Sequence, residues 1–319
     1  MNTRRFLAVM FAATLLYAAI ALWGDARALR ATLSAYAWWT FAAALALSLG
    51  NYALRFLKWD FYLARLGIRD VPRGESFCIY LAGFAMSVTP AKAGEVLKSA
   101  LLASARGIPV ARTAPIVVAD RLTDLISLIA MVAVGGAVFP GGRIVAVLAS
   151  ALVAGLMTFV LVRPLGDWLL GRLEGIAATQ RFVPRLREAY DALRLLATPG
   201  ALLYPTVVSL VAWALEAFGL WLVLRGLGAD VSVSVAMFVY ATATLAGAVA
   251  MLPGGVGGAE LTMISLLLAL APAGIGAPAA RAATLLCRLA TLWFAVLLGA
   301  AALAWFRRSY DRHRDVATT

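Results

Sequence analysis

The chain reads as long apolar runs separated by short polar breaks. The runs fall at about 6–23, 36–60, 74–89, 110–138, 144–163, 202–224, 232–252, 259–272 and 279–306. Several reach the roughly 20 residues that an α-helix needs to cross about 30 Å of hydrocarbon. Two stretches are interrupted: 74–105 breaks at TPAKAGE, residues 89–95, and 232–272 breaks at LPGGVGGAE, residues 252–260. Non-helical backbone at membrane depth is tolerated only inside protein or along a wet cavity. Each break therefore predicts a re-entrant hairpin of two half-helices. Pro90 and Pro253 cannot continue a helical ladder, while Gly94, Gly254, Gly255, Gly257 and Gly258 permit left-handed backbone or close approach. The expected fold is an all-α polytopic membrane protein, a single transmembrane domain over 1–319 with about six full spanning helices and two re-entrant helical hairpins.

Composition agrees with that pattern. Hydrophobic residues make up 63% of the chain, charged residues 14%, and the mean hydropathy is +0.89. Soluble domains sit near 45–50% apolar and about 25% charged. The longest polar stretch, about 163–199, is too short for a soluble catalytic domain. A net charge of +12 would suggest nucleic acid as partner in a soluble protein. Here the basic residues stand between apolar runs, where they signal topology and attract anionic lipid, so nucleic acid is not expected. Cys78, Cys287 and the lone His313 cannot build a metal site, and no cofactor is expected. Arg4 and Arg5 followed by 6–23 read as an uncleaved first helix rather than a signal peptide.

Charge also orients the chain. If each broken stretch enters and leaves by one face, 21 of the 28 Lys and Arg fall on one side, 5 on the other, and Arg121 and Arg288 lie within helices. The positive-inside rule then makes both termini and 163–199 cytoplasmic. A single crossing at 74–89 would move the six arginines of 163–199 outside, which the rule disfavours, while a hairpin of two full crossings gives the same count as a re-entrant one. Segment 167–199 reads as an interfacial amphipathic helix, with Leu169, Leu170, Leu173 and Ile176 at helical spacing. The expected location is a cell membrane of the bacterial inner-membrane kind.

The two halves also match each other. Residues 48–67 align with 209–228 at an offset of 161, pairing Ser48 with Ser209, Leu63 with Leu224 and Gly67 with Gly228, and setting Arg55 opposite Glu216. Downstream, Pro90, Glu95 and Arg121 correspond to Pro253, Glu260 and Arg288, the offset drifting from 163 to 167. Three spanning helices before the second copy make its orientation opposite. This predicts an inverted-topology repeat, 36–138 and 202–306, with discontinuous helices meeting at a central site as in many secondary transporters.

The candidate chemistry lies in the intramembrane charges, which are costly at depth and normally face a partner or a wet path. Glu95 and Glu260 open half-helices, where a carboxylate suits the dipole; on one reading each only caps its helix. They are the expected partners of Arg121 and Arg288. Those pairs are either structural or leave guanidiniums to bind the phosphate of a lipid head group. Asp124 shares a helical face with Arg121, and Lys92 and Lys98 flank Glu95, so all three join the substrate-binding set. Arg55 and Lys58 read first as anchors snorkelling to the interface, with Arg55 a site residue second. Glu216 calls for a buried partner or carries a coupling proton. Asp120 reads as a local cap or pair. Trp38, Trp39, Trp168 and Trp305 fit interfacial belts.

TPAKAGEVLKSALL, DRLTDLISL and LPGGVGGAELTMISLLL, in this order, resemble the lysylphosphatidylglycerol synthase transmembrane (flippase-like) family. The similarity extends over about residues 5–306. Family members often carry Gly-Arg-x-Gly-Glu where this chain has Ala91-Lys92-Ala93-Gly94-Glu95, and Glu-Arg where it has Asp120-Arg121. The resemblance implies a lipid flippase-like transporter without the soluble aminoacyl-transferase domain of the full synthase, so synthase activity is not carried over. Stand-alone members are linked to several lipids, hopanoids and polyprenyl carriers among them, so no substrate is implied. The leading expectation is a non-enzymatic transporter moving an anionic or zwitterionic amphiphile between leaflets, its partners membrane lipids with anionic or phosphate head groups. The alternatives are an intramembrane lipid-modifying transferase, a small-anion or metabolite transporter, and a non-transporting accessory subunit.

Overall fold

The computed structural model describes residues 26–89, 95–136, 162–175, 183–250, 252–270 and 275–317, with single positions between 144 and 158. The first apolar run, most of 144–163, and the candidates Pro90, Lys92 and Gly94 lie outside the described residues. Among the described residues every regular element is helical. In chain order these are α1 (Ala26–Ser34), α2 (Trp38–Arg65), α3 (Arg73–Gly83), α4 (Leu97–Arg106), α5 (Pro115–Gly136), α6 (Arg163–Glu174), α7 (Val183–Leu196), α8 (Pro199–Gly226), α9 (Val233–Val249), α10 (Gly258–Leu270), α11 (Ala277–Arg288) and α12 (Phe294–Ala317). A 3-10 turn, Phe84–Met86, follows α3, a four-residue turn, Val110–Thr113, precedes α5, and a π-turn, Leu289–Trp293, joins α11 to α12.

Among the described residues three helices are long and apolar enough to cross a membrane: Trp38–Arg65, Gly200–Gly226 and Ala277–Arg308. α5 has the length, at 22 residues, but carries Asp120, Arg121 and Asp124. The elements on either side of the two sequence breaks are shorter than a span: α3 and α4 have 11 and 10 residues, α9 and α10 have 17 and 13. At 1.5 Å rise per residue even α9 is only about 25 Å long.

The centre of the fold is the antiparallel pair α2 and α8. Thr40 meets Gly226, Ala44 meets Gly219, and Gly50 meets Leu215, so one helix runs up as the other runs down. Asn51 donates its amide to the carbonyl of Ala212, 161 residues away, at 2.8 Å. Both helices have 28 residues and end alike. Gly67 at φ 72° and Gly228 at φ 77° terminate them, and Ile68 and Ala229 turn their N–H groups back to Leu63 and Leu224. Left-handed glycine at a helix end satisfies carbonyls that the ladder leaves open.

Around this pair the remaining helices interlock. α5 packs against α9, and α12 packs against α3 and its 3-10 turn. Both contacts close on a glycine: a Cβ at Gly135 would stand 2.9 Å from Phe238, and one at Gly299 would stand 2.2 Å from the backbone nitrogen of Ala85. Without a hydrophobic drive between helices in lipid, such close backbone approach supplies packing. Two cores result. One joins the end of α2 to α3, α4 and α12 through Trp59, Tyr62, Ile79 and Leu102; the other joins α5, α8, α9, α10 and α11 through Leu220, Val239, Met263 and Leu286.

Segment 167–199 is not one helix. α6 and α7 are separate, with Arg187 of α7 holding Asp167 and Glu174 of α6 at 3.5 and 3.1 Å. Trp168, Leu165 and Leu169 are exposed, Leu170 is buried, and the end of α7 packs through Leu193 against Leu122 and Ile126 of α5.

Candidate functional site

Seven charged side chains meet where α2, α4 and α5 converge. Arg55 reaches Asp120 at 3.0 Å and Asp124 at 2.9 Å. Lys58, wholly buried, reaches the same two acids at 2.6 and 3.0 Å. It also donates to Ser209 of α8, whose hydroxyl donates to Asp124 at 2.9 Å. Arg121 holds Glu95 at 3.0 Å, Asp120 at 3.2 Å and Asp124 at 3.4 Å. Lys98 closes the set, 3.5 Å from Glu95 and stacked over Trp59 and Tyr80. The cations and acids each sit one helical turn apart on their own helix, so the two helices match like a plug and socket.

This overturns the snorkelling assignment of Arg55 and Lys58. A snorkelling lysine keeps its ammonium in water, whereas Lys58 has no exposed surface and three polar partners counting Ser209. Asp120 is likewise more than a local cap. The sequence signal was there: cations at 55 and 58, acids at 120 and 124.

The second half carries a leaner arrangement. Arg288 donates Nε–H to Glu260 at 2.7 Å and an Nη2–H to the carbonyl of Gly254 at 2.7 Å. The other Glu260 oxygen accepts the Gly257 N–H at 2.6 Å. Glu260 is therefore both a cap at the start of α10 and an ion-pair partner. The chain reaches this geometry because α9 ends at Val249, four residues ahead of position 253, and Gly254, Gly255 and Gly257 adopt φ of 64°, 68° and 95°. Gly258 is already helical, and it serves by close approach, its missing Cβ lying 3.1 Å from Ala250. Midway along α8, Glu216 accepts a hydrogen bond from the Tyr240 hydroxyl.

Between the clusters lie two adjoining cavities. A polar chamber of about 540 Å³ is lined by Arg55, Glu95, Glu216, Tyr240 and Arg288, with Asn51 and Thr291. A larger cavity of about 960 Å³ is lined by Arg121, Asp124 and Arg288 together with Leu125, Leu128, Leu245 and Leu252. Trp213, Thr244, Arg288 and Leu292 line both. Lys98 and Glu260 line neither cavity and stand behind Glu95 and Arg288. Arg121 keeps 28% of its side chain exposed, and its buried Nε–H has no hydrogen-bond acceptor among the described residues. Such a donor is costly to leave unmet. Among the described residues no three His, Cys, Asp or Glu stand together to hold a metal.

A helical bundle with charges buried between apolar helices and flanking an amphipathic cavity defines an integral membrane protein. Residues 6–299 match the family model for the lysylphosphatidylglycerol synthase TM region, and the chain belongs to that family. Two similar curated proteins are both described as UPF0104 membrane protein and come from Methanothermobacter thermautotrophicus. One is 28% identical over 282 residues, 81% of this chain and 82% of the relative. The other is 26% identical over 310 residues, 90% of this chain and 89% of the relative.

Proposed function

We propose that the protein is a flippase-like transporter that moves an amphiphile with a phosphate-bearing anionic or zwitterionic head group between leaflets. The observation that carries this reading is the pair of adjoining cavities, one polar and one largely apolar, with Arg288 in both walls. A small anion needs only the first. An amphiphile needs both, with its head group against Arg288 and Arg121 and its tails along Leu125, Leu245 and Leu252. Guanidinium suits phosphate because its planar donors meet two oxygens at once.

The architecture supports alternating access. The short elements flanking each break suit re-entrant hairpins. The matched ends of α2 and α8, the Asn51–Ala212 contact at the same 161-residue offset, and the paired acid–arginine contacts all suit an inverted repeat. Burial of Arg55, Lys58 and Lys98 takes three from the 21 inward charges, leaving 18 against 5 for cytoplasmic termini.

The test is movement of a fluorescent phospholipid across the bilayer of proteoliposomes holding the purified protein. Arg288→Ala/Glu260→Leu removes both members of one pair and leaves no uncompensated charge. If the pair serves the head group, this variant stays folded and loses transport. Full transport by a stable double variant would rule out the head-group role.

A further inference from the structure

The polar chamber is lined by more than the charges that a phosphate needs. Asn51 of α2 and Ser87, directly after the 3-10 turn, both face it and carry no charge. Tyr52 against Phe84, with ring centroids 5.1 Å apart, joins their two segments at the chamber wall. Both residues are buried, at 1% and 5% exposure. Asn51 commits its amide nitrogen to the Ala212 carbonyl. That contact fixes which way the amide points, and the amide oxygen accepts no hydrogen bond among the described residues. The backbone N–H of Ser87 closes the turn on the Phe84 carbonyl at 3.0 Å. Its hydroxyl has no hydrogen-bond partner among the described residues.

Buried polar groups are costly unless something meets them. The two groups ask for different things. The Asn51 oxygen needs a donor, and the Ser87 hydroxyl needs an acceptor for its proton. A phosphate accepts but does not donate when ionised. An ammonium donates but does not accept. A hydroxyl does both. It also brings no charge into a poorly solvated chamber, where an added charge must find its own partner. Beside the two polar groups, Tyr52 and Phe84 present flat apolar faces. A carbon chain or ring bearing hydroxyls has apolar C–H edges to lay against them.

We propose that the polar chamber is a polyol subsite. The phosphate of the transported lipid, held at Arg288, is esterified to an uncharged alcohol bearing several hydroxyls, a glycerol or a sugar. Its hydroxyls donate to the Asn51 oxygen and accept from Ser87, and its C–H edges rest on Tyr52 and Phe84. The tails remain in the larger cavity. Arg288, which lines both cavities, stands at the junction where the phosphate links the two parts of such a lipid. This inference rests on the head-group reading of the chamber and names the head group more closely.

The experiment is calorimetric titration of the full-length protein in detergent with short-chain phosphatidylglycerol, phosphatidylpropanol and phosphatidylethanolamine. The first two share tails, phosphodiester charge and a three-carbon alcohol, and differ only in the hydroxyls. Wild type is expected to bind phosphatidylglycerol about tenfold more tightly than phosphatidylpropanol, since one neutral hydrogen bond is worth about two- to tenfold. Phosphatidylethanolamine is expected to bind more weakly than phosphatidylglycerol. Ser87 is the residue to change, because Asn51 also ties α2 to α8. Ser87→Ala is expected to weaken phosphatidylglycerol binding about threefold and to leave phosphatidylpropanol binding unchanged. Equal affinity for phosphatidylglycerol and phosphatidylpropanol, phosphatidylethanolamine binding as tightly as phosphatidylglycerol, or an unaltered preference in Ser87→Ala overturns the polyol subsite and leaves the head-group reading standing. No binding of any of the three lipids by wild type overturns the head-group reading, and the subsite falls with it.

Discussion

The same contact, a glutamate held by an arginine 26 or 28 residues further on, sits in two different settings. In the first half Glu95 and Arg121 belong to a network with Arg55, Lys58, Lys98, Asp120 and Asp124, tied to α8 through Ser209. In the second half Glu260 and Arg288 rest on glycine backbone, with Gly257 donating and Gly254 accepting. The helix after Arg121 continues unbroken to Gly136, but after Arg288 the chain enters a π-turn. π-turns inside helices cluster at functional sites. Here the Thr291 carbonyl within the turn accepts the Tyr52 hydroxyl at 2.7 Å, and Thr291 lines the polar chamber. Among the described residues, one half is cross-linked by many charges, while the other shows the Glu260–Arg288 pair, with Arg288 at the cavity wall. The difference teaches that equivalent residues need not carry equal shares of stability and function.

The largest expected effect lies in the cross-linked half. Lys58→Met leaves Asp120 and Asp124 with one cation fewer at a position with no exposed surface. Removing one partner from a buried charge set costs about 3–5 kcal/mol, a large share of a domain's stability. Thermal unfolding of the purified variant should show a strongly lowered midpoint or failure to accumulate. A midpoint within a few degrees of wild type would mean that the network contributes little. The contrast with a folded Arg288→Ala/Glu260→Leu protein is what separates a structural half from a functional one.

Much of this was legible in the sequence, and the parts that were not have a common cause. The two acid–arginine pairs follow from proline, acid and arginine recurring in order. The glycine turn follows from LPGGVGGAE. Arg55 and Lys58 were misread because a cation near the end of an apolar run looks the same whether its head meets water or a distant acid. Asp120 and Asp124 lie 65 and 69 residues from Arg55, and nothing local connects them. Tyr240 was missed because a tyrosine on an apolar helix carries no sign of the carboxylate it meets. The split of 167–199 into α6 and α7 was missed because the helical spacing of Leu169, Leu170 and Leu173 carries on to Ile176, beyond Glu174 where α6 ends.

A second test asks whether the two halves interlock with equal tightness. Gly135 and Gly299 are the close-approach points of α5 on α9 and of α12 on α3. A leucine at either position forces a side chain into packed backbone, and overpacking of this kind typically costs about 1–3 kcal/mol. Gly299→Leu should cost more than Gly135→Leu. Its Cβ would meet backbone atoms of Phe84 and Ala85 at 2.6 and 2.2 Å, while Gly135 would first meet the Phe238 side chain at 2.9 Å. Melting midpoints of the two variants, measured in one detergent, check the order; the reverse order would show that the α5–α9 interface at Gly135 is the more rigid.

The smallest expected effect separates the two arginines themselves. Arg121 meets Glu95 through a single nitrogen, Nη2, at 3.1 and 3.0 Å to the two oxygens. Arg288 uses two nitrogens for two different groups, Nε on Glu260 and Nη2 on the Gly254 carbonyl. A lysine offers one ammonium in place of the planar fork. Arg121→Lys therefore keeps the essential contact to Glu95, with Asp120 and Asp124 still nearby. Arg288→Lys must give up one of its two contacts, and the Gly254 carbonyl is the weaker, neutral one. A lost hydrogen bond of this kind costs about 0.5–1.5 kcal/mol. The loss falls at the turn where Gly254 and Gly255 hold left-handed backbone, so it should appear there first. Hydrogen exchange is the suitable measurement: amides at 252–262 should exchange faster in Arg288→Lys, and amides at 95–105 should be unchanged in Arg121→Lys. Equal acceleration in both variants would mean that the two pairs restrain their helices alike, and the asymmetry between the halves would then rest on the neighbouring charges alone.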